Sequence, residues 1–469
     1  FKAEVRAMRA WTYLGMTMTF GKVPLITEVL DYNSPNIPRD EVSVIRDFIM
    51  KELTEAAAIL PEKYAGGYPN EKGRITKYAC LSLKARAALY FGDYALAEST
   101  AKEVMDKGGF SLFKISSLSD AQKKEAEEMS LYIDFAEKGI DKDEFVKGMF
   151  NYEALWHTEN ANPDNPEYIM TRQYAASSWN YQDMTRYTSM RPNQLGGWSS
   201  VTPTQNLVDA YWGVDGHSVP QLPTPEERAK AYNQIKADLD AYQKPEGEAK
   251  FIAFCQEKIK NGTLKDYKYI QEFRNRDSRM YVSILMPFKS WYESNYGDKF
   301  VYEWIKNGNN ESKTGFNFRK MLSLENDANG DGQATGDYPC IRYAEILLIY
   351  AEAHTQTTGY DAATEAALNQ LRDRCGMPDV PSGLSKEEGL KLIQNERRIE
   401  LAGEGFRGDD MTRYSDDYWK EHMNNVPIMT PDGDTELTMK WSSRMRLKPI
   451  PQTAIDLNPL LAGDQNPGY

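Results

Sequence analysis

The stretch LKARAALYFGDYALAESTAKEVM, residues 83–105, constrains this chain more than any other. Leu83, Ala87 and Tyr90 fall at i, i+4 and i+7, Gly92-Asp93 makes a turn, and Tyr94, Ala97, Ala101 and Val104 resume helical spacing. The spacing predicts two helices folded back on each other, with small residues between them that let the axes approach closely. That is the pattern of a tetratricopeptide repeat, whose helices pack as antiparallel pairs and stack into a superhelix. A second hairpin is expected over 342–375, RYAEILLIYAEAHTQTTGYDAATEAALNQLRDRC, turning at Thr358-Gly359-Tyr360-Asp361, with a further helix over 385–405.

Ahead of the first hairpin, residues 1–20 place Val5, Met8, Trp11 or Thr12, and Gly15 on one helical face, and GKVPLI ends that helix. The next helix starts near Asp40, a candidate N-cap, and stops at Pro61. The chain opens at Phe1 in what reads as the middle of a helix, so any signal peptide, lipidation site or earlier helix lies outside it. Residues 150–340 have another texture: rich in Trp, Tyr, Asn, Gly and Pro, with few long periodic runs. Mounted on a rigid helical scaffold, such a region carries recognition. The expected organisation is one domain over 1–469. It has an N-terminal helical part over 1–110, an irregular insertion over 111–340, and C-terminal helices with a tail over 341–469. In that tail, LKPIPQTAIDLNPLLAGDQNPGY, the prolines exclude a helix, whereas Ile450, Ile455, Leu457, Leu460 and Leu461 call for burial. An extended strap over apolar surface left open by the last helices satisfies both.

Composition excludes several functions. A net charge of −13, from 69 acidic against 56 basic residues and without a basic patch, argues against nucleic acid as a partner. The longest clean apolar run, ILLIYA at 346–351, is far short of the roughly 20 residues that span a bilayer. Cys80, Cys255, Cys340 and Cys375 are widely spaced and read as buried free thiols. No HExxH, GxSxG or phosphate-binding loop occurs, the four histidines are scattered, and no carboxylate pair stands out, so catalysis is not expected. Glu396, Arg397, Arg398, Glu400 and Arg407 read as an interhelical ion-pair network rather than a ligand cluster, and Arg407-Gly408-Asp409 as a turn. In DANGDGQATGDY, Asp327, Asn329 and Asp331 alternate as in the first half of a calcium loop, with Gly332 at the sharp turn. The twelfth position is Tyr338 instead of Glu, with Asp337 a possible substitute, so a structural calcium site and a solvated turn both stay open.

Several stretches together resemble the SusD/RagB family of surface glycan-binding lipoproteins. They are AEVRAMRAWTYLGMTMTFGKVPLIT (3–27), GRITKYACLSLKARAALYFGDYALA (73–97), PTQNLVDAYWGVDG (203–216), NRDSRMYVSIL (275–285), YPCIRYAEILLIYAEA (338–353), NERRIELAGEGFR (395–407) and the tail. The resemblance implies a mainly helical fold of four tetratricopeptide-type units with an irregular ligand-binding region. It also implies non-catalytic binding of oligosaccharides or polysaccharides at the outer-membrane surface. Delivery to a TonB-dependent SusC-like transporter would follow, the only membrane contact being an N-terminal lipid anchor that this chain lacks. A family member tuned to peptides or another nutrient, and an interaction scaffold without a ligand site, are the alternatives.

For a glycan, the candidate platforms are aromatic, because sugar C–H faces stack on Trp and Tyr rings while polar neighbours take the hydroxyls. SSWNYQD, QLGGWSS and FKSWYESNYGD place Trp179, Tyr181, Trp198, Trp291 and Tyr292 among small and polar residues, as exposed loops would. Trp11, Trp156 and Trp212 are expected in the core, and Trp304 and Trp441 are left open.

Overall fold

Alanine, more than leucine, sets how the first helices meet. The computed structural model describes residues 1–469 apart from 32–33, 65, 67–70, 72, 158, 175–192, 244–247, 293–299 and 323–334. Helix α1, Lys2–Phe20, buries Ala3, Ala7, Ala10, Tyr13, Leu14, Thr17 and Met18 against α2, Val42–Ile59. Val5 and Met8, on the face expected to pack, are 63% and 54% exposed. The larger apolar residues mislead here because close approach to α2 selects small side chains. Asp40 does not cap α2 either. Its carboxylate accepts the Leu25 N–H at 2.8 Å, and Glu41, at the N-cap position, makes no capping bond with its side chain.

The hairpin at 83–105 forms as read, from α3, Lys77–Tyr90, and α4, Tyr94–Lys107, with Asp93 accepting the Leu96 N–H at 3.2 Å. The second pairs α5, Tyr343–Thr357, with α6, Ala362–Arg374, whose first turn is capped by Asp361. Helix α7, Lys386–Glu400, opens on a Ser385/Glu388 capping box. Each helix packs on the next, α1 on α2, α2 on α3 and α3 on α4. Across the gap in sequence, α4 then packs on α5, and α5 on α6 and α7. Ile346, Leu347, Leu348 and Ile349 are therefore fully enclosed, the all-round burial of a helix with neighbours on every side. One apolar cluster runs from Ala3 to Leu401, so both ends of the chain build the same core. This is a tetratricopeptide-type helical superhelix.

A second cluster, from Met129 to Ile399, fills the insertion. Strand β1, Tyr168–Arg172, pairs antiparallel with β2, Tyr338–Arg342, which leads directly into α5 and roots the insertion on the scaffold. The insertion is more helical than its composition suggests. Pro225–Asp240 forms a helix of 16 residues behind a Thr224/Glu227 capping box, although its sequence is too polar to show an apolar stripe.

Scaffold and insertion are joined by buried charge. Arg342 binds Glu167, Glu400 and Glu404 at 2.8, 2.7 and 2.6 Å. Arg374 also bonds to Glu167 and Glu400, and Arg279 reaches Asp277, Glu396 and Glu400 at 2.8, 2.7 and 3.1 Å. Burial opposes ionisation of Glu400, yet Arg374, Arg342 and Arg279 outweigh it and hold its carboxyl well below the ordinary range. Nearby, burial pulls the Lys320 ammonium down to about 8 although Glu404 is its partner. The network expected around Glu396 and Glu400 is thus present, and wider than a contact between helices. Arg398 and Arg407 stand apart from it, bonded to Asn206 and to the Tyr418 hydroxyl. Arg407-Gly408-Asp409 opens a helix, Arg407–Arg413, instead of forming a turn.

The tail leaves the last helices where Arg446 holds the Thr412 and Tyr414 carbonyls at 2.6 and 2.7 Å. It then lies on the end of α1 and the loop that follows. Lys448 N–H donates to Thr19 O, Asn466 Nδ2 to Phe20 O, and Arg39 to Asp464. Ile450 and Leu461 are buried as expected, but Leu457 is 82% and Leu460 52% exposed. The prolines permit one short helix after all, Gln452–Leu457, because Pro451 sits at its N-cap and Pro459 lies beyond its end. All four cysteines are free thiols, three of them buried and Cys340 partly so.

Candidate functional site

Of the five candidate platforms, Trp179 and Tyr181 lie outside the described residues, and the other three have different fates. Leu195 anchors its loop in the core, Gly196 takes a φ of 77° that suits glycine, and Trp198 emerges 48% exposed. It is the most exposed described tryptophan. Gln194 fixes the loop from below by accepting the Glu303 N–H at 3.1 Å.

Trp291 corrects the expectation. It lies in the strand Ser290–Trp291, paired with Phe300–Val301, and is 1% exposed. The Arg319 guanidinium covers its ring at 4.8 Å and is held there by Glu125 and Glu153. A ring enclosed in this way is a core residue with a cation on its face, not a sugar platform. Alternation along the strand turns the next residue outward. Tyr292 is half-buried, its hydroxyl donating to Glu128 Oε1 at 2.5 Å, and burial with that carboxylate pushes its phenol well up. Trp156 and Trp304 are core, as is Trp419, while Trp11, Trp212 and Trp441 are half-buried.

Asp327, Asn329 and Asp331 also lie outside the described residues. Asp337, their possible partner, is 5% exposed. It accepts the Tyr174 N–H at 3.1 Å and donates its own N–H to Ala161 O at 2.7 Å. Burial pushes its carboxyl up to about 6. Among the described residues no group of three His, Cys, Asp or Glu is placed to hold a metal ion.

A cavity of about 360 Å³ opens between the start of α3, the end of α4 and β1. Tyr64, Tyr78 and Phe110 supply its aromatic wall. Arg74 stacks on Tyr64 at 4.1 Å and forks onto Glu4 at 2.6 and 3.0 Å, which lowers the Glu4 carboxyl to about 2. The Thr171 hydroxyl on β1 is buried there without a partner among the described residues. Sequence inspection missed this cavity because its wall comes from three distant segments. Only GRITKY, at the start of the second quoted stretch, pointed to the neighbourhood.

The family model described as the SusD family matches residues 166–469. A SusD-like protein of Formosa agariphila is 22% identical over 427 residues, covering 88% of this chain and 66% of that protein's length. A SusD-like protein from Bacteroides fragilis superposes with a TM-score of 0.70 at 25% identity, covering all of this chain and 79% of that one. Another from Bacteroides fragilis, a SusD-like carbohydrate binding protein, gives a TM-score of 0.64 at 22% identity over 98% of this chain and 79% of that one. With the match spanning more than half of its length, the chain belongs to the SusD family.

Proposed function

We propose that this protein binds oligosaccharides or polysaccharides at the cell surface without transforming them and passes them to a TonB-dependent outer-membrane transporter. Trp198 is the observation that carries the reading: a large apolar ring held half in solvent by an anchored loop, in a family with a carbohydrate-binding structural relative. Trp179 and Tyr181, 19 and 17 positions earlier in sequence, and Tyr292 complete the proposed platform set. Attachment to the outer membrane would be through a lipid anchor, and no described helix is long and apolar enough to cross a membrane. The superhelix supplies an extended face for the transporter.

One stacked ring contributes on the order of 1 kcal/mol and each hydrogen bond that competes with water about as much, against the entropy of association. Affinity should therefore be weak, on the order of micromolar to millimolar, as suits a protein that must release its cargo. A glycan array over plant, host and microbial polysaccharides, followed by calorimetry on the preferred oligosaccharide, tests the reading. Trp198→Ala should weaken binding several-fold and leave the melting temperature nearly unchanged. Wild-type affinity in that variant removes Trp198 from the site, and failure of every glycan to bind removes the carbohydrate reading. Delivery predicts that the full-length lipoprotein co-purifies with a transporter barrel, and its absence from a mild detergent extract counts against that step.

A further inference from the structure

A second cavity, of about 200 Å³, lies between the helix Gln205–Ala210, the start of the helix Pro225–Asp240, and a β-hairpin. The hairpin pairs β3, Pro427–Met429, with β4, Thr435–Thr438. Its turn is pinned by Lys306, which bonds to Asp432 and Asp434 at 2.5 and 2.6 Å. Pro431 packs directly on Gly315, where a Cβ would come within 2.1 Å of the proline ring. The roof is thus held in place from outside.

The lining of the cavity combines polar and apolar side chains. Gln205 Nε2 donates to Asp209 Oδ1 at 2.7 Å and to Glu272 Oε1 at 2.9 Å, and Arg228 Nε donates to Glu272 at 2.7 Å. Gln205, Asp209 and Arg228 all line the cavity, with Glu272 behind them. Two buried polar atoms in this group are left over, and one carboxylate oxygen of Asp209 takes no described bond. Asp209 receives its bonds on Oδ1 alone, and Glu272 Oε2 and the Tyr269 hydroxyl are buried with no partner among the described residues. Tyr269, which lines the cavity, is 1% exposed, and its hydroxyl is close enough to Glu272 and Arg228 to feel their charges. Buried polar atoms without partners are costly unless a ligand or water completes them. Pro223, Phe316, Pro427 and Met429 also line the cavity and offer apolar surface to C–H groups.

We propose that this cavity binds one neutral, hydroxyl-rich ring, the terminal sugar unit of a glycan, at a site separate from Trp198. A hydroxyl both donates and accepts, so it can satisfy a carboxylate oxygen, a phenol and a guanidinium set side by side. The local charges disfavour ions of either sign. Asp209 and Glu272 repel an anion, and Arg228, with Arg276 and Arg398 nearby, repels an ammonium. Burial pushes both carboxyls up, which raises the gain from a hydroxyl donor that pairs with them. The choice of a sugar over another polyol rests on the carbohydrate reading.

The test is saturation-transfer NMR with the methyl α- and β-glycosides of glucose, galactose, mannose and xylose, and with myo-inositol. At least one glycoside should bind with an affinity on the order of millimolar, since so few atoms make contact. Asp209→Asn should weaken that binding by about tenfold, the loss of one charge-assisted hydrogen bond. Val426→Phe, which fills the cavity from its rim, should abolish it, and Trp198→Ala should retain it. The inference is overturned if the signal survives both cavity substitutions, if it disappears in Trp198→Ala, or if myo-inositol binds and no glycoside does. If no glycoside binds while a long oligosaccharide still binds through Trp198, this cavity is not a sugar site and the carbohydrate reading stands. If neither binds, both fail.

Discussion

Trp198 and Trp291 carry the same side chain among the same kinds of neighbours, small and polar residues on either side, yet one faces solvent and the other the core. The difference is not local. Trp291 is enclosed because Arg319, 28 positions away, is drawn over it by Glu125 and Glu153, whereas Trp198 stays 48% exposed. The two rings should therefore behave oppositely on truncation. Trp291→Ala leaves a large cavity and uncovers a buried guanidinium, a loss of about 3–5 kcal/mol by comparison with other core aromatics. Scanning calorimetry should show a clear drop in melting temperature for Trp291→Ala and almost none for Trp198→Ala. A Trp291→Ala protein as stable as wild type but deficient in glycan binding would return that ring to the site.

At the scale of elements, the turns of the two helical hairpins were the most legible features, whereas Asp40, the one cap read from the sequence, bonds to Leu25 instead of capping its helix. Asp93, Asp361 and Ser385/Glu388 satisfy backbone N–H groups within three residues of themselves, so their role is set by adjacent sequence. The buried face of α1 was not legible, because a stripe of alanine looks like weak amphipathicity until a partner helix is close against it. The tail was half legible. Ile450 and Leu461 bury, but Leu457 and Leu460 do not, and the strap is secured as much by hydrogen bonds from Asn458, Asn466 and Arg39 as by apolar contact. Removing residues 450–469 deletes two buried aliphatic side chains, each contributing about 1.5–3 kcal/mol, and strips Arg39 of its carboxylate. The melting temperature should fall by several degrees. An unchanged value would mean that the strap is not part of the cooperative unit.

For the molecule as a whole, the buried ion network decides how scaffold and insertion hold together. Glu400 accepts from Arg279, Arg342 and Arg374 at once, so Glu400→Gln leaves three enclosed guanidinium groups short of a counter-charge. Breaking a buried pair from one side costs about 3–5 kcal/mol. Because the folded protein lowers the Glu400 carboxyl below its unfolded value of 4.5, its contribution is fully present above that pH. It is lost as the pH falls toward the folded value, where the unfolded chain takes up a proton that the folded one does not. Wild-type stability should decline below about pH 4.5, and Glu400→Gln should be less stable at neutral pH with a shallower decline in acid. Thermal melts across that range measure both, and parallel curves for the two proteins would show that Glu400 is not the group responsible.

The sequence by itself determined the helical hairpins, their turns, and a family resemblance spread along the chain, because each depends on residues a few positions apart. Only the tertiary structure decided which tryptophan is a surface, which face of α1 is core, and which charges neutralise one another. Arg342 meets Glu167 across 175 positions, and Arg319 meets Glu125 across 194. Burial, charge pairing and cavity walls are set by such distant encounters, which no local spacing encodes. Helical periodicity could be read from one segment at a time; the candidate sites could not, because each exists only where separate segments meet.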